Sequence, residues 1–244
     1  MNPVQGASKR AVDIVLSGIG LLILAIPFAV VAILIKVESP GPVFFRFPRV
    51  GRGGREFTPL KFRTMTEGAI GEGSGTTLSE DDARVTRVGA FVRAWAIDEM
   101  PQIINVLKGE MSLVGPRPTF AYQVEQYDDF QRRRLEVRPG ITGLAQISGR
   151  NDLSWPERIE MDVWYVDHGS LWLDVKILVK TLWVAFITRE GVYAEGGMNP
   201  DFPGASPHGE EDSSPEQGSP HKADSADEDS AVESDIPLER GERP

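Results

Sequence analysis

The sequence predicts an α+β protein that is mostly helical, with a re-entrant membrane helix at its N-terminus, a small β-hairpin and interfacial amphipathic helices. Three observations support this fold class. Residues 14–35 form an apolar run without a charge, and residues 43–65 hold two β-prone stretches around a Gly-rich turn. Beyond residue 80, helix-start signals and apolar segments recur up to about residue 187.

The N-terminal apolar run has the length of a membrane helix. Ile14–Ile35 contains no charged residue, and its 22 residues reach about 33 Å as an α-helix, roughly the thickness of the hydrocarbon core of a bilayer. Pro27 lies just past the middle, where the missing backbone donor predicts a kink. Basic residues, which favour the cytoplasmic side, flank the run on both sides: Lys9, Arg10, Lys36, Arg46, Arg49, Arg52 and Arg55. These features favour a re-entrant helix over a bent single span, and both remain open.

The next segments are short. Val43–Val50 and Arg55–Met65 predict a hairpin around the turn GRGG. Two prolines and a glycine predict an irregular segment at Ser112–Pro118, and Val137–Asn151 reads as loop and short strand. We expect helices over Asp81–Ala96, Pro101–Lys108, Tyr122–Leu135, from the capping box at Ser154 towards Val166, and Leu171–Ile187. Leu171–Ile187 is either an interfacial membrane helix or an ordinary core helix.

The acidic charge is confined to the end of the chain. The net charge is −10, yet residues 1–199 carry 23 basic and 23 acidic residues, whereas residues 200–244 carry 3 and 13. That terminal segment is rich in Ser, Pro and Gly, so it cannot bury enough apolar surface to fold. We therefore expect a membrane-embedded helix in residues 1–40, a cytoplasmic folded domain in residues 41–195 and a disordered acidic tail in residues 196–244.

The composition excludes several kinds of chemistry. The chain has no cysteine, which excludes disulfides, thiol nucleophiles, iron–sulfur clusters and thiolate zinc sites. Of its three histidines, His208 and His221 lie in the acidic tail and only His168 in the expected domain, which leaves little room for a Ser-His-Asp triad. Any catalysis must come from carboxylates, arginines, lysines or a cation held by oxygen ligands.

One acidic pair lies in an apolar setting. Asp81-Asp82 is explained by a helix start, and Asp128-Asp129 by surface ion pairs with Arg132 and Arg133 one turn later. Asp98-Glu99 instead follows AWAI and precedes MPQIINVL. Two charges in an apolar segment are costly to desolvate unless they are paired, ligating or catalytic.

The surroundings of this pair indicate phosphate chemistry. Pro101 favours a helix start nearby, where exposed backbone N–H groups attract anions. Carboxylates combined with arginines also suit a Mg²⁺ ion that is shared with substrate phosphates. The candidate phosphate-binding arginines are Arg63, Arg93, Arg117 and Arg150, of which Arg117 lies between two prolines.

Four strings then carry a resemblance: KFRTM at 61–65, DEMPQIINVLKGEMSLVGPRP at 98–118, VRPGITGLAQISGRN at 137–151, and the apolar N-terminus. In this order they resemble the bacterial sugar transferases, the monotopic phosphoglycosyl transferases. The resemblance runs from about Lys9 to about Phe186. It departs in one place, because several members bend the membrane helix at Ser-Pro where this chain has Ile26-Pro27.

The resemblance implies transfer of a sugar 1-phosphate from a UDP-sugar to a polyprenyl phosphate, typically undecaprenyl phosphate, with release of UMP. This is the first membrane step of bacterial glycoconjugate or exopolysaccharide synthesis, on the cytoplasmic face of the plasma membrane. It implies that Asp98 is the nucleophile of a covalent aspartyl-phosphosugar and that Glu99 helps to hold Mg²⁺. Arg93 would contact the lipid phosphate, Arg63 stands where many members have lysine, and Arg117 and Arg150 would bind phosphate or nucleotide. We expect no nucleic-acid partner.

Two other functions remain open at this stage. One is a membrane-bound lipid phosphatase or pyrophosphatase that uses Asp98. The other is an inactive membrane scaffold that recruits partners through the acidic tail. The sugar, the glycan pathway, the oligomeric state and the role of the tail are not predicted.

Overall fold

A computed structural model of the chain describes residues 3–66, 83–149 and 153–184. In these ranges the helices are α1 (Pro3–Glu38), α2 (Arg87–Ala94), α3 (Ile103–Lys108), α4 (Ala121–Glu125), α5 (Asp129–Arg132), α6 (Leu144–Ser148), α7 (Trp155–His168) and α8 (Leu171–Trp183). The strands are β1 (Phe44–Arg46), β2 (Arg49–Val50), β3 (Glu56–Phe57), β4 (Leu60–Phe62), β5 (Ser112–Val114) and β6 (Gly140–Thr142). The predicted mostly helical fold with small sheets is confirmed. The predicted disordered tail and Arg150 lie outside the described residues.

The predicted hairpin is present as two nested antiparallel pairs. β1 pairs with β4, and β2 pairs with β3 closer to the turn. Gly53 and Gly54 adopt positive φ angles of 65° and 77° in the turn, a conformation that favours glycine. The hairpin carries Arg49 and Lys61 on opposite arms.

The segment after α3 is more regular than predicted. Ser112–Val114 is not irregular but forms β5, which pairs in parallel with β6. The sequence argument excluded a helix here, and a three-residue strand before the first proline satisfies the same constraint. At Gly140, an added Cβ would lie 2.1 Å from the backbone nitrogen of Gly115, so glycine is required for the two backbones to approach.

The single helix predicted over residues 122–135 is wrong. It is divided into α4, α5 and a 3₁₀ turn at Arg133–Glu136. The backbone N–H of Gln131 donates to Asp128 Oδ1 at 2.8 Å, and the N–H of Asp128 donates to Gln131 Oε1 at 3.2 Å, so Asp128 begins a new helix. Asp128 is therefore a helix cap and not the predicted surface ion-pair partner.

The later helix predictions hold in outline. The capping box at Ser154 and Glu157 begins α7, as expected. α8 begins at Leu171, with Ser170 as its N-cap. The segment predicted as loop and short strand contains β6, and it also contains the short helix α6, which the sequence argument missed.

Helix α1 continues through Pro27 and packs along the folded domain. Its inner face contributes to an apolar cluster in which Ile35, Phe62 and Val92 are buried. Its outer face is exposed and apolar, and Leu22 and Ile26 are each more than three-quarters exposed. By length and composition, the helix could cross a membrane, and its most apolar 18-residue stretch has a mean hydropathy of 2.9. The re-entrant topology stays a prediction.

Polar contacts fasten the first turns of α1 to the domain. Lys9 Nζ lies 2.6 Å from Asp174 Oδ2 in α8. The guanidinium of Arg10 donates to the carbonyls of Val106 and Leu107, at the end of α3, at 2.6 and 3.0 Å. The two Arg10 hydrogen bonds satisfy carbonyls in the last turn of α3 and hold the N-terminal end of α1 against it.

The C-terminal end of α1 is fastened to the same domain. The Glu38 carboxylate accepts the backbone N–H groups of Arg87 and Val88, at 2.7 and 2.9 Å, and thereby caps α2. Ser39 and Pro40 follow, and both of their carbonyls accept hydrogen bonds from Arg63. Contacts therefore hold both ends of α1.

We predict that Gly89→Ala destabilises the protein by at least about 2 kcal/mol, because overpacking at a rigid contact costs this much. A Cβ at Gly89 would lie 2.0 Å from the carbonyl oxygen of Thr64, which forces α2 away from the end of β4. Thermal unfolding in detergent micelles measures the effect. The control is Gly18→Ala, whose Cβ meets no atom within 4 Å. Equal midpoints for the two variants would contradict the prediction.

Candidate active site

The Asp98-Glu99 pair lies in a 3₁₀ turn between two helices. α2 ends at Ala94, the turn runs over Ile97–Gln102, and α3 follows directly. The chain reverses at Ala96, which has a φ of 52°, the only positive φ at a non-glycine residue among those described. A left-handed alanine is strained and commonly occurs at functional sites. The pair therefore sits on a sharply bent segment held by a helix on each side.

Glu99 is the centre of a charged cluster. Its Oε1 accepts hydrogen bonds from Lys61 Nζ at 2.6 Å and from Arg117 Nη2 at 2.7 Å, and Arg117 Nη1 donates to Oε2 at 3.1 Å. Its side chain is 20% exposed. Burial acts to raise the pKa of Glu99, but Arg117 and Lys61 outweigh it and hold that pKa well below its usual range. Glu99 is therefore an ionised anchor for two cations.

Asp98 has the opposite electrostatic character. Burial, followed by the charge of Glu99, raises the pKa of Asp98 to about 6, against the opposing influence of Lys61, Arg93 and Arg117. Two neighbouring carboxylates in a desolvated site divide in this way, with one held ionised and the other poised near neutral pH. Asp98 is thus the carboxylate of the pair whose protonation state changes closest to neutral pH.

Arg93 and Arg117 are brought to the pair, as predicted. Arg93 lies in the last turn of α2, close enough to influence the Asp98 carboxyl, and its Nε donates to Thr64 Oγ1 at 2.7 Å. Arg117 projects from the loop that follows β5, where the charge of Glu99, aided by the paired hydrogen bonds to it, raises the pKa of Arg117.

A buried network holds the loop that carries Arg117. The guanidinium of Arg134 donates to the Arg117 carbonyl at 3.1 Å, to the Tyr127 hydroxyl at 2.6 Å and to Asp162. Arg134 and Asp162 are both buried. Thr119 extends the network, since its hydroxyl lies 3.1 Å from that of Tyr127. The backbone of Arg117 is therefore fixed by groups that do not reach the carboxylates.

Arg63 does not join this cluster. It is buried, and its Nη1 and Nη2 donate to the carbonyls of Pro40 and Ser39 at 2.7 and 2.8 Å, so it braces the exit from α1. Lys61, two residues earlier, makes the contact with Glu99 instead. Phosphate binding by Arg63 stays a prediction, as does the role of Arg150, which lies outside the described residues.

Arg49 is a further candidate residue that the sequence did not single out. Its guanidinium carbon lies 3.2 Å from the centroid of the Phe120 ring and 5.4 Å from that of Phe47. Burial and the charge of Arg117 lower the pKa of Arg49 to about 9, against Tyr122 and Glu99. In the sequence, Arg49 looked like one of several flanking basic residues, although the aromatic run before it was a usable signal.

The described residues do not fit a resident metal at Glu99. Both of its oxygens already accept hydrogen bonds from cations, and these two positive charges oppose a divalent ion. Within residues 3–66, 83–149 and 153–184, no three acidic or histidine side chains form a metal-binding group. A magnesium requirement stays a prediction, and the chemistry below is derived without it.

Comparison with known proteins identifies the chain. A family model described as bacterial sugar transferase matches residues 4–188. The uncharacterized sugar transferase EpsL of Bacillus subtilis (strain 168) is 48% identical over 64% of this chain and 74% of its own length. The exopolysaccharide production protein ExoY of Rhizobium meliloti (strain 1021) is 38% identical over 78% and 90%. The undecaprenyl-phosphate galactose phosphotransferase of Salmonella typhimurium (strain LT2) is 40% identical over 76% of this chain and 41% of its own.

These matches define a transferase. More particularly, the chain belongs to the bacterial sugar transferase family, as the resemblance implied. Membership of this family favours a sugar transferase activity over the phosphatase and scaffold alternatives. One long apolar helix and a membrane-linked family also agree with the predicted association with a membrane.

We predict that Asp98→Asn stabilises the fold more at pH 8 than at pH 4.5. The folded protein binds the Asp98 proton more tightly than the unfolded chain does, since its pKa is raised from 3.8 to about 6. Ionisation therefore costs stability progressively as the pH rises from about 4 to about 6, and the cost stays complete above that range. Asparagine carries no charge and avoids it.

Thermal unfolding in detergent at the two pH values measures this difference. Asp129→Asn is the matched control, because Asp129 is exposed in the first turn of α5. A stabilisation by Asp98→Asn that is the same at both pH values would contradict the raised pKa.

Proposed function

We propose that this chain transfers a sugar 1-phosphate from a UDP-sugar to polyprenyl phosphate, with release of UMP, through a covalent intermediate on Asp98. Relatives support the substrate classes by name, among them the UDP-N-acetylgalactosamine-undecaprenyl-phosphate N-acetylgalactosaminephosphotransferase of Aeromonas hydrophila, 43% identical over 74% of this chain. The product would enter exopolysaccharide or related glycoconjugate synthesis, as the name of ExoY suggests for that relative.

One observation carries the mechanism: adjacent carboxylates that differ in pKa lie among an excess of cations. Lys61, Arg93 and Arg117 all act to lower the pKa of Asp98. By contrast, Glu99 is held in place by a short hydrogen bond from Lys61 and a bidentate pair from Arg117. The excess positive charge suits a diphosphate, and the poised carboxylate suits nucleophilic attack on phosphorus.

The reaction proceeds in two displacements. An Asp98 carboxylate oxygen bonds to the sugar-bearing phosphorus, the bond from that phosphorus to the bridging oxygen breaks, and UMP leaves with the electron pair. A polyprenyl phosphate oxygen then attacks the same phosphorus and releases the Asp98 carboxylate. Arg93 and Arg117 offset charge on the transferring group, and Glu99 keeps Lys61 and Arg117 in place.

We further propose that the protein is monotopic on the cytoplasmic face of the bacterial plasma membrane. Lys9 and Glu38 lie near opposite ends of α1, yet both bind the same domain. A helix that crossed about 30 Å of hydrocarbon would place its ends on opposite sides. Helix α8 supports this placement, because it exposes Trp172, Val179 and Trp183.

The adduct tests the mechanism. When wild-type enzyme meets UDP-sugar without lipid acceptor, mass spectrometry should find a phosphosugar on the peptide that contains Asp98. UMP release should reach about one equivalent per enzyme, as a two-step displacement requires. Asp98→Asn should form no adduct, because the attacking carboxylate is lost. An adduct on another residue, or turnover by Asp98→Asn, would overturn the mechanism.

Two variants sharpen this experiment. Glu99→Gln should still form the adduct, but more slowly by about tenfold or more, because it loosens two charge-assisted contacts. Asp129→Asn should behave as the wild type, because Asp129 is exposed and does not influence the pKa of Asp98 or of Glu99. The same assay with and without a chelator tests the magnesium prediction.

We predict that both ends of α1 face the cytoplasm. The chain has no cysteine, so single cysteines at Ala7 and Glu56, both exposed, report directly on topology. Neither should react with an impermeant thiol reagent in intact cells, and both should react after permeabilisation. Labelling of Ala7→Cys alone in intact cells would establish a membrane-spanning helix.

A further inference from the structure

We propose that Arg49 and the aromatic side chains around it form the seat of the nucleotide part of the donor, with Arg49 contacting an oxygen of the leaving UMP. This inference rests on the proposed function and names a substrate-binding residue outside the sequence-predicted site. It starts from a side chain that the mechanism above leaves unused.

Arg49 is a half-buried side chain with unused hydrogen-bonding capacity. Its Nη1 is buried and has no hydrogen-bond partner among the described residues. A guanidinium in such a position costs free energy until an acceptor arrives, because its desolvation is not compensated. Its nearest ring, Phe120, holds the guanidinium plane but offers no hydrogen-bond acceptor oxygen.

The position of Arg49 ties it to the catalytic cluster. Arg117 repels its charge and Glu99 attracts it, so both groups lie within electrostatic reach. Arg117 is committed to Glu99 by two hydrogen bonds, whereas Arg49 is not. An anionic group that binds beside Glu99 and Arg117 would therefore lie within electrostatic reach of Arg49, which has a donor to spare.

The aromatic side chains beside Arg49 suit a nucleobase. Phe120 and Tyr122 are stacked with centroids 5.2 Å apart, and Phe47 meets Phe120 edge-on at 5.5 Å. Phe47 and Tyr122 remain 38% and 42% exposed, so ring surface is available to a ligand. Exposed rings next to an arginine bind bases by stacking while the arginine binds phosphate oxygen.

The chemistry of the displacement explains why a cation is useful at this place. When the Asp98–phosphorus bond forms, the electron pair of the broken bond moves to the phosphate of UMP. A cation on that side stabilises the charge as it develops, and stacking holds the base while the bond breaks. Arg49 would then affect the first displacement and leave attack by polyprenyl phosphate largely unchanged.

The test measures binding of UMP and of uridine by calorimetry to the full-length protein in detergent. Arg49→Gln should weaken UMP binding by about tenfold to a hundredfold, the usual loss for a charge-assisted hydrogen bond. It should weaken uridine binding less, because uridine lacks the phosphate. Tyr122→Leu should weaken both ligands by a similar factor, because both share the base.

The matched control is Arg52→Gln. Arg52 lies in the same hairpin and is exposed, and its Nε donates to the Glu136 carbonyl at 3.1 Å. It should bind UMP as the wild type does. Arg49→Lys should restore part of the UMP affinity, because it returns the charge without the planar fork.

Kinetics distinguish this proposal from a structural role and from failure of the mechanism. Arg49→Gln should raise KM for the UDP-sugar and slow adduct formation. The rate at which a preformed Asp98 adduct transfers its phosphosugar to polyprenyl phosphate, corrected for hydrolysis of the adduct, should stay within about twofold of the wild-type rate. Unchanged UMP affinity in Arg49→Gln would overturn the proposal, even if wild type forms the Asp98 adduct. Loss of liposome binding by Tyr122→Leu, with UMP affinity intact, would assign the aromatic side chains to the bilayer instead.

Discussion

The arrangement of the active site depends on one carboxylate. Glu99 joins Lys61 from the hairpin and Arg117 from the loop after β5 to the bent turn that carries Asp98. Without it, Lys61 and Arg117 would lose the carboxylate that both of them bind, and the ion pairs that join their two segments to the turn would be lost. Burial and, after it, the ionised Glu99 raise the pKa of Asp98 to about 6, since a desolvated site beside a negative charge disfavours a second one. Adjacent residues of the same chemical kind thus take opposite roles.

A second layer of buried charge supports this cluster without entering it. The Arg134–Asp162 pair fixes the backbone of Arg117, and Arg63 fixes the chain where it leaves α1. Breaking a buried pair leaves an uncompensated charge, so such residues cannot change independently of their partners. The loop between two prolines gains its rigidity from Arg134 as well as from the prolines.

The sequence was most informative where a residue's local setting determined its role. Asp98 and Glu99 stood out because charges in an apolar run need an explanation, and the cap at Ser154 predicted α7 because capping is a local interaction. Tertiary partners could not be predicted in this way. Lys61 and Arg63 are two residues apart and would share one face of a continuous strand. However, β4 ends at Phe62, so Lys61 reaches Glu99 whereas Arg63 binds Ser39. Likewise, nothing near Arg134 in the chain distinguishes it from its exposed neighbour Arg133, because its partner Asp162 lies 28 residues away.

The capping of α2 by Glu38 links α1 to the segment that carries Asp98. Glu38 is the last residue of α1, and its carboxylate accepts the first backbone N–H groups of α2. Helix α2 in turn ends just before the turn that holds Asp98. In the proposed monotopic arrangement, the depth at which α1 rests in lipid would therefore set the height of the Asp98 carboxylate above the hydrocarbon. A polyprenyl phosphate acceptor in that leaflet would carry its phosphate at a nearly constant height of its own. The two would then meet by lateral diffusion in the plane of the membrane, so that the search for the acceptor would lose one of its three dimensions.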